Sequence, residues 1–285
     1  METRISSLEK EVVIGPDRPV VLIGERINPA GREAFKESLK RGDLEPVRRE
    51  AIAQAEAGAD VLDLCVGTFG ADEVALLPEA VRAVMDAVDL PLCLDSTNVA
   101  ALEAALKIYK GKALINSVTA EEKSLREVLP LVKTYHAAVI GLVQDDEGIP
   151  SNTARRVEIA RVIVDRALQA GISPEDIIID GLISSVGADT NSGRAVIEAI
   201  RNIRATLGVN VTLGASNVSF GLPNRPLLNN VFAIMAVTAG ATCLITDVAR
   251  TRPAIIAADL ILGRDKHARR YIRAYRRGEI PEVSR

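Results

Sequence analysis

Eight short apolar runs, each followed by a stretch of helical periodicity, most narrow what this chain can fold into. The runs lie at 20–24 (VVLIG), 60–64 (DVLDL), 91–95 (PLCLD), 112–116 (KALIN), 138–143 (AVIGLV), 176–180 (DIIID), 211–215 (VTLGA) and 241–246 (ATCLIT). Between and after them, 44–57, 72–88, 98–109, 121–136, 152–170, 191–206, 226–239 and 252–262 carry apolar residues at i, i+3, i+4 and i+7, the stripe of an amphipathic helix. Glycines at AGAD (57–60), AGIS (170–173) and AGAT (239–242) sit where a left-handed helix C-cap belongs. Strands that are apolar throughout and alternate with helices belong to a parallel sheet covered on both faces. Eight such units predict an α/β fold of one domain, a (β/α)8 TIM barrel. An open doubly wound sheet is the alternative, but no G-x-G-x-x-G follows the first run. The spans read as an N-terminal cap (1–19), the barrel (20–263) and a basic C-terminal helix or tail (264–285).

Composition removes several function classes. A net charge of −3 gives no electrostatic ground for a nucleic-acid partner. No apolar run approaches the roughly 20 residues that span a bilayer, and METRISSLEK lacks a signal-peptide core. Three cysteines without a C-x-x-C pair argue against a disulfide scaffold or a cysteine zinc site. The only histidines, His136 and His267, fall at the end of a helix and in the basic tail, so no metal site is expected. A cytoplasmic globular enzyme with no membrane partner is the expectation.

In such a barrel, chemistry sits at the C-terminal ends of the strands. The runs close with Glu25, Arg26 and Asn28; Asp63 and Cys65; Asp95 to Asn98; Asn116 and Ser117; Gln144 and Asp145; Asp180; Ser216, Asn217 and Ser219; Thr246 and Asp247. That is acid and amide, with little positive charge. Carboxylates and carboxamides suit a flat heterocycle presenting several N–H donors and ring acceptors, such as a pterin. Each residue also has a plainer reading: Asp63, Asn116, Asp180 and Asp95 as caps or anchors, Asn217 in a turn, Glu25–Arg26 as an ion pair, Cys65 as a small core residue.

The strand-end segments GERIN (24–28), LDLCVG (62–67), LDSTN (94–98), INS (115–117), IDGLI (179–183) and SNVSFGLPNR (216–225) occur in that order, one per strand. Together they resemble the methyltetrahydrofolate:corrinoid protein methyltransferases, pterin-binding enzymes related to the folate module of cobalamin-dependent methionine synthase. The resemblance spans about residues 20–262. It implies a barrel with folate across its mouth, and methyl transfer between N5 of (methyl)tetrahydrofolate and cobalt. The cobalamin is then carried by a separate corrinoid protein, and the chain forms a homodimer. By the same resemblance, Asp95, Asn116 and Asp180 hold the pterin ring, Asp63 lies near it, Asn217 reaches N5, and Arg225 lies near the pterin or its tail. Asn217 and Asp180 are the expected catalytic pair. Asn217 stabilises a protonated N5, while Asp180, Asp63 or a bound water relays the proton. Two positions depart from the pattern: Cys65 replaces an asparagine in LDLNVG, and Phe220 stands where some members carry glutamine. The alternatives are a dihydropteroate synthase-like enzyme, whose lysine-containing turn after strand seven is absent here, and a non-catalytic folate-binding protein.

Overall fold

The computed structural model describes residues 1–280. The last five positions of the basic span 264–285 lie outside the described residues. Eight parallel strands form the barrel: β3 (Val21–Ile27), β4 (Val61–Leu64), β5 (Leu92–Asp95), β6 (Leu114–Val118), β7 (Ala138–Leu142), β8 (Ile177–Asp180), β9 (Asn210–Thr212) and β10 (Cys243–Thr246). They pair in chain order, with β10 against β3. A parallel bridge between Gly214 and Ile245 and the Ile245 N–H bond to the Leu213 carbonyl join β9 to β10, so the sheet closes.

The outer layer holds α2 (Glu45–Glu56), α3 (Glu73–Ala87), α4 (Val99–Ile108), α5 (Glu122–Thr134), α6 (Thr153–Gln169), α7 (Ser192–Leu207), α8 (Arg225–Ala239) and α9 (Val248–Ile261). Their starts and stops follow local chemistry. Asp72 and Asn98 accept backbone N–H groups to cap α3 and α4. Gly58, Gly171 and Gly240 take φ values of +87°, +77° and +119° where three helices end, a conformation that costs other residues energy. Two further helices, α1 (Glu33–Lys40) and α10 (Arg269–Arg276), extend the eightfold pattern.

The first residues form an antiparallel hairpin, β1 (Thr3–Ser6) with β2 (Glu11–Ile14). It closes the N-terminal end of the barrel. Tyr109 donates to the Ser6 carbonyl at 2.9 Å, and Asn210, at the start of β9, donates to Thr3 Oγ1 at 2.9 Å and to the Ile14 carbonyl at 3.1 Å. Ile5, Val12 and Ile14 pack with inward residues Val21, Ile23, Val61, Leu114, Ile140 and Ile178 in one apolar cluster. A second, larger core lies between strands and helices. Because successive strand residues face opposite ways, the inward set continues upward two residues at a time. It reaches Glu25, Asp63, Cys65, Asp95, Asn116 and Asp180 at the C-terminal mouth.

Candidate active site

Asp63 lies in mid-strand, only 3 % exposed, which excludes a helix-cap role. It accepts from Asn116 Nδ2 at 3.2 Å and is hydrogen-bonded by the Cys93 thiol, its register partner on β5. Asp95 pairs in register with Asn116 and takes a thiol hydrogen bond from Cys65. The cysteine that replaces the expected asparagine therefore keeps a donor on this carboxylate. Asn98, not Asp95, caps α4. Asp63, Asp95 and Asn116 thus form one group on β4–β6.

Asp180 stands across the opening, 4 % exposed. Its Oδ1 accepts from the Leu182 N–H at 2.6 Å, and Gly214 N–H supplies another bond. Leu182 adopts φ +50°, strained for a branched side chain. Arg156 holds that turn by donating to the carbonyls of Gly181 at 2.7 Å and Leu182 at 2.8 Å. Arg156 is 2 % exposed and lies on the buried stripe of α6 with Ile159 and Ile163. An arginine in register with that stripe was the visible signal of its role, although it lies far from any strand end.

Asn217 sits on a one-turn 3-10 helix, Ala215–Ser219, where the sequence pattern has a turn. β9 ends at Thr212, so the run at 211–215 is part strand and part this turn. The Asn217 amide lies against Gly214, where a Cβ would meet its Nδ2 at 3.0 Å. This places Asn217 directly above the Asp180 anchor. The turn is fastened on both sides. Ser216 Oγ donates to Glu25 Oε1 at 2.6 Å, and Arg225 donates to the Ser216 carbonyl at 2.9 Å and to Ser219 Oγ at 3.1 Å. Glu25 therefore pairs with Ser216, not with Arg26, because strand neighbours project to opposite faces. Phe220 is exposed with the Arg225 guanidinium 5.7 Å from its ring centre.

Asp63, Asp95 and Asn116 thus stand on β4–β6 toward the C-terminal end of the barrel, Asp180 ends β8, Asn217 lies on the turn after β9, and Arg225 braces that turn. Residues 24–247 match the profile of a family described as Pterin binding enzyme. The chain belongs to this pterin-binding enzyme family. It is 33 % identical to the Methylcorrinoid:tetrahydrofolate methyltransferase of Eubacterium limosum over 271 residues, 93 % of this chain and 99 % of that one. It is 34 % identical to the Methionine synthase of Mycobacterium tuberculosis over 265 residues, 88 % of this chain but 22 % of that protein. Among solved structures it superposes on Yersinia pestis DHPS with a pterine-sulfa conjugate (TM-score 0.69, 14 % identity, covering 92 % of this chain and 100 % of that one). It also superposes on the Thermus thermophilus dihydropteroate synthase in complex with 6HMPPP (TM-score 0.65, 20 % identity, 90 % and 99 %). At these identities the structural likeness shows the shared barrel.

The electrostatics of this pterin-binding enzyme follow from burial. Desolvation first, then the charge of Asp95, pushes the Asp63 carboxyl far above its ordinary range, against the Cys93 and Asn116 hydrogen bonds. Asp95 is likewise raised by burial, with Glu73 adding and Cys65 opposing. Both carboxyls are therefore harder to ionise than exposed ones. Asp180 is pushed up to about 6 by burial, opposed by the Leu182 and Gly214 N–H groups and by Arg156. Burial and the acidic neighbours raise the Cys65 thiol too, so it stays protonated and donates. The mouth therefore presents carboxyl, amide and thiol groups, able to accept and to donate at the edges of a polar ring. No cluster of His, Cys, Asp and Glu among the described residues has the arrangement of a metal site.

Proposed function

We propose that this chain moves a methyl group between N5 of tetrahydrofolate and the cobalt of a corrinoid held by another protein. The observation that carries this reading is the ring of acids and amides around one barrel mouth, in a chain 33 % identical over nearly its whole length to a methylcorrinoid:tetrahydrofolate methyltransferase.

Asp95 accepts N–H groups from the aminopyrimidine edge of the pterin, and Asn116 offers Oδ1 there while its Nδ2 is held by Asp63. With that edge on the β4–β6 wall, the N5 end lies toward Asp180 and Asn217. An unprotonated amine leaves badly, so transfer from N5 needs positive charge to develop there. Asn217 Oδ1 accepts from N5–H and stabilises that charge. It delivers no net proton, so Asp180, raised to about 6, holds the proton through intervening water. In the reverse direction the same groups receive it.

The corrinoid supplies a cobalt that takes or gives the methyl. This chain offers it no imidazole at the mouth: His136 precedes β7 at the opposite end, and His267 lies between α9 and α10. The chain acts as a homodimer in the cytoplasm. An apolar groove between α7 and α8, with Ile197, Val231, Phe232 and Met235, supports self-association. Three free cysteines suit a reducing compartment, and no helix among the described residues is long and apolar enough to cross a membrane.

Visible absorbance of purified protein mixed with methylcobalamin and tetrahydrofolate tests the activity. Demethylation of the cobalt with formation of methyltetrahydrofolate supports it. Incorporation of p-aminobenzoate into a pterin would reassign the chain as a synthase. Folate binding with no change at cobalt would make it a binding protein.

A further inference from the structure

On the outside of the barrel, between α9 and α10, lies a cavity of about 390 Å³ whose walls carry six cations: Arg252, Lys266, Arg269, Arg270, Arg273 and Arg277. It is remote from the mouth. Asp259, near the end of α9, accepts the Val20 N–H just before β3, and Arg270 donates to the same carboxylate at 2.7 Å, so α10 starts at the N-terminal end of the barrel. Only two acids, Asp265 and Glu279, line the cavity with these cations. Both are occupied. Asp265 accepts the backbone N–H groups of Arg270 and Tyr271 at 3.0 and 2.9 Å. Glu279 pairs with Arg252 and, at 3.9 Å, with Arg277. Lys266, Arg269 and Arg273 are exposed and have no ion-pair partner among the described residues.

Seven of the chain's 35 lysines and arginines fall in residues 264–280, against two acids, although the protein's net charge is −3. Cations gathered around one cavity repel one another, and an anion that bridges them relieves that repulsion. Guanidinium forks match the oxygens of phosphate groups. A space of this size between two helices admits a small molecule rather than a helix or a strand. We propose that this cavity binds a small polyphosphate, a compound of the di- or triphosphate class. Lys266, Arg269 and Arg273 grip its oxygens from the α10 side, and Arg252 faces it from α9. A single phosphate brings too little charge for the three unpaired cations, whereas linked phosphates match them. The bound anion fastens α10 to α9 without touching the barrel mouth, so the site is independent of the folate reading.

The probe is inorganic tripolyphosphate, titrated calorimetrically into the native protein and into Arg269→Gln combined with Arg273→Gln. Both positions are exposed and lie outside the pterin site. The native protein is expected to bind one equivalent at low salt, more tightly than it binds orthophosphate and more weakly as salt is raised. The double variant should bind about tenfold more weakly or worse, as expected when two charged donors are lost. Thermal unfolding gives a second reading. Without ligand the variant should melt above the native protein at low salt, because repulsion is relieved, and tripolyphosphate should raise the Tm of the native protein by more than that of the variant. No binding to the native protein, uptake of several equivalents without saturation, or equal affinity in the native protein and the variant would overturn the site. Tighter binding of a short RNA or of an oligoglutamate peptide than of tripolyphosphate would overturn its assignment to a small ligand.

Discussion

The two halves of the barrel interior are built on the same strands and do opposite work. Below, Val21 and Ile23, Val61, Leu114, Ile140 and Ile178 pack on the hairpin residues Ile5, Val12 and Ile14. Above, two residues farther along the same strands, stand Glu25, Asp63, Asn116 and Asp180. One strand period moves a position from core to site without changing which way it faces. The lower half gains from burial of apolar surface. The upper half loses, because its carboxyls are desolvated and their pKa values rise. The lesson is that the site is held on rigid elements whose stability comes from the opposite end.

Substitutions can separate the halves. The largest effect belongs to Asn217→Ala. Loss of the contact to protonated N5 should lower the rate of methyl transfer by about 10²- to 10³-fold, in line with removal of other donors or acceptors aimed at developing charge. Folate affinity should fall far less, as single-turnover rates and equilibrium binding would show. Equal losses in both would make Asn217 a simple binding residue.

Asp180→Asn comes next, and its sign is informative. Between about pH 4 and 6 the folded carboxyl keeps a proton that the unfolded one has released. Native stability therefore falls as pH rises through that window, by about 3 kcal/mol in total. Asparagine keeps an acceptor for Leu182 N–H and does not titrate. The unliganded variant should be more stable than the native protein, by a margin that widens from about pH 4 to pH 6 and then levels off in urea unfolding. A margin independent of pH would show that Asp180 is not desolvated as described.

The smallest effect is at the other end. Ile14→Val should cost about 1 kcal/mol of stability and leave the folate Kd unchanged, since the hairpin lies a barrel length from the mouth. A weakened Kd would couple the two halves more tightly than their packing implies.

The barrel was legible because its strands are apolar on both faces and repeat eight times; the polar strand ends were legible because each apolar run closes on its own acid, amide or hydroxyl. The hairpin was harder, since Thr3–Ser6 and Glu11–Ile14 are four residues each and too short to show a period. The helix α1 lies outside the strand–helix repeat, whereas α10 falls within the basic span 264–285 that reads as a helix or tail. The partners that tune the carboxylates were hidden for another reason. Cys93 and Cys65 meet Asp63 and Asp95 only through strand register, and Arg156 reaches the Asp180 turn from a helix 25 residues upstream of Gly181. Pairings of that kind exist only after folding.

Calorimetric titration of 5-methyltetrahydrofolate into the native protein, Asp95→Ala and Asn116→Ala tests the grip of the mouth on a pterin most directly. The account predicts measurable binding to the native chain and a loss of about 30-fold or more in each variant, as expected when a buried hydrogen-bonding partner is removed. Variants that bind the folate as tightly as the native protein would contradict it.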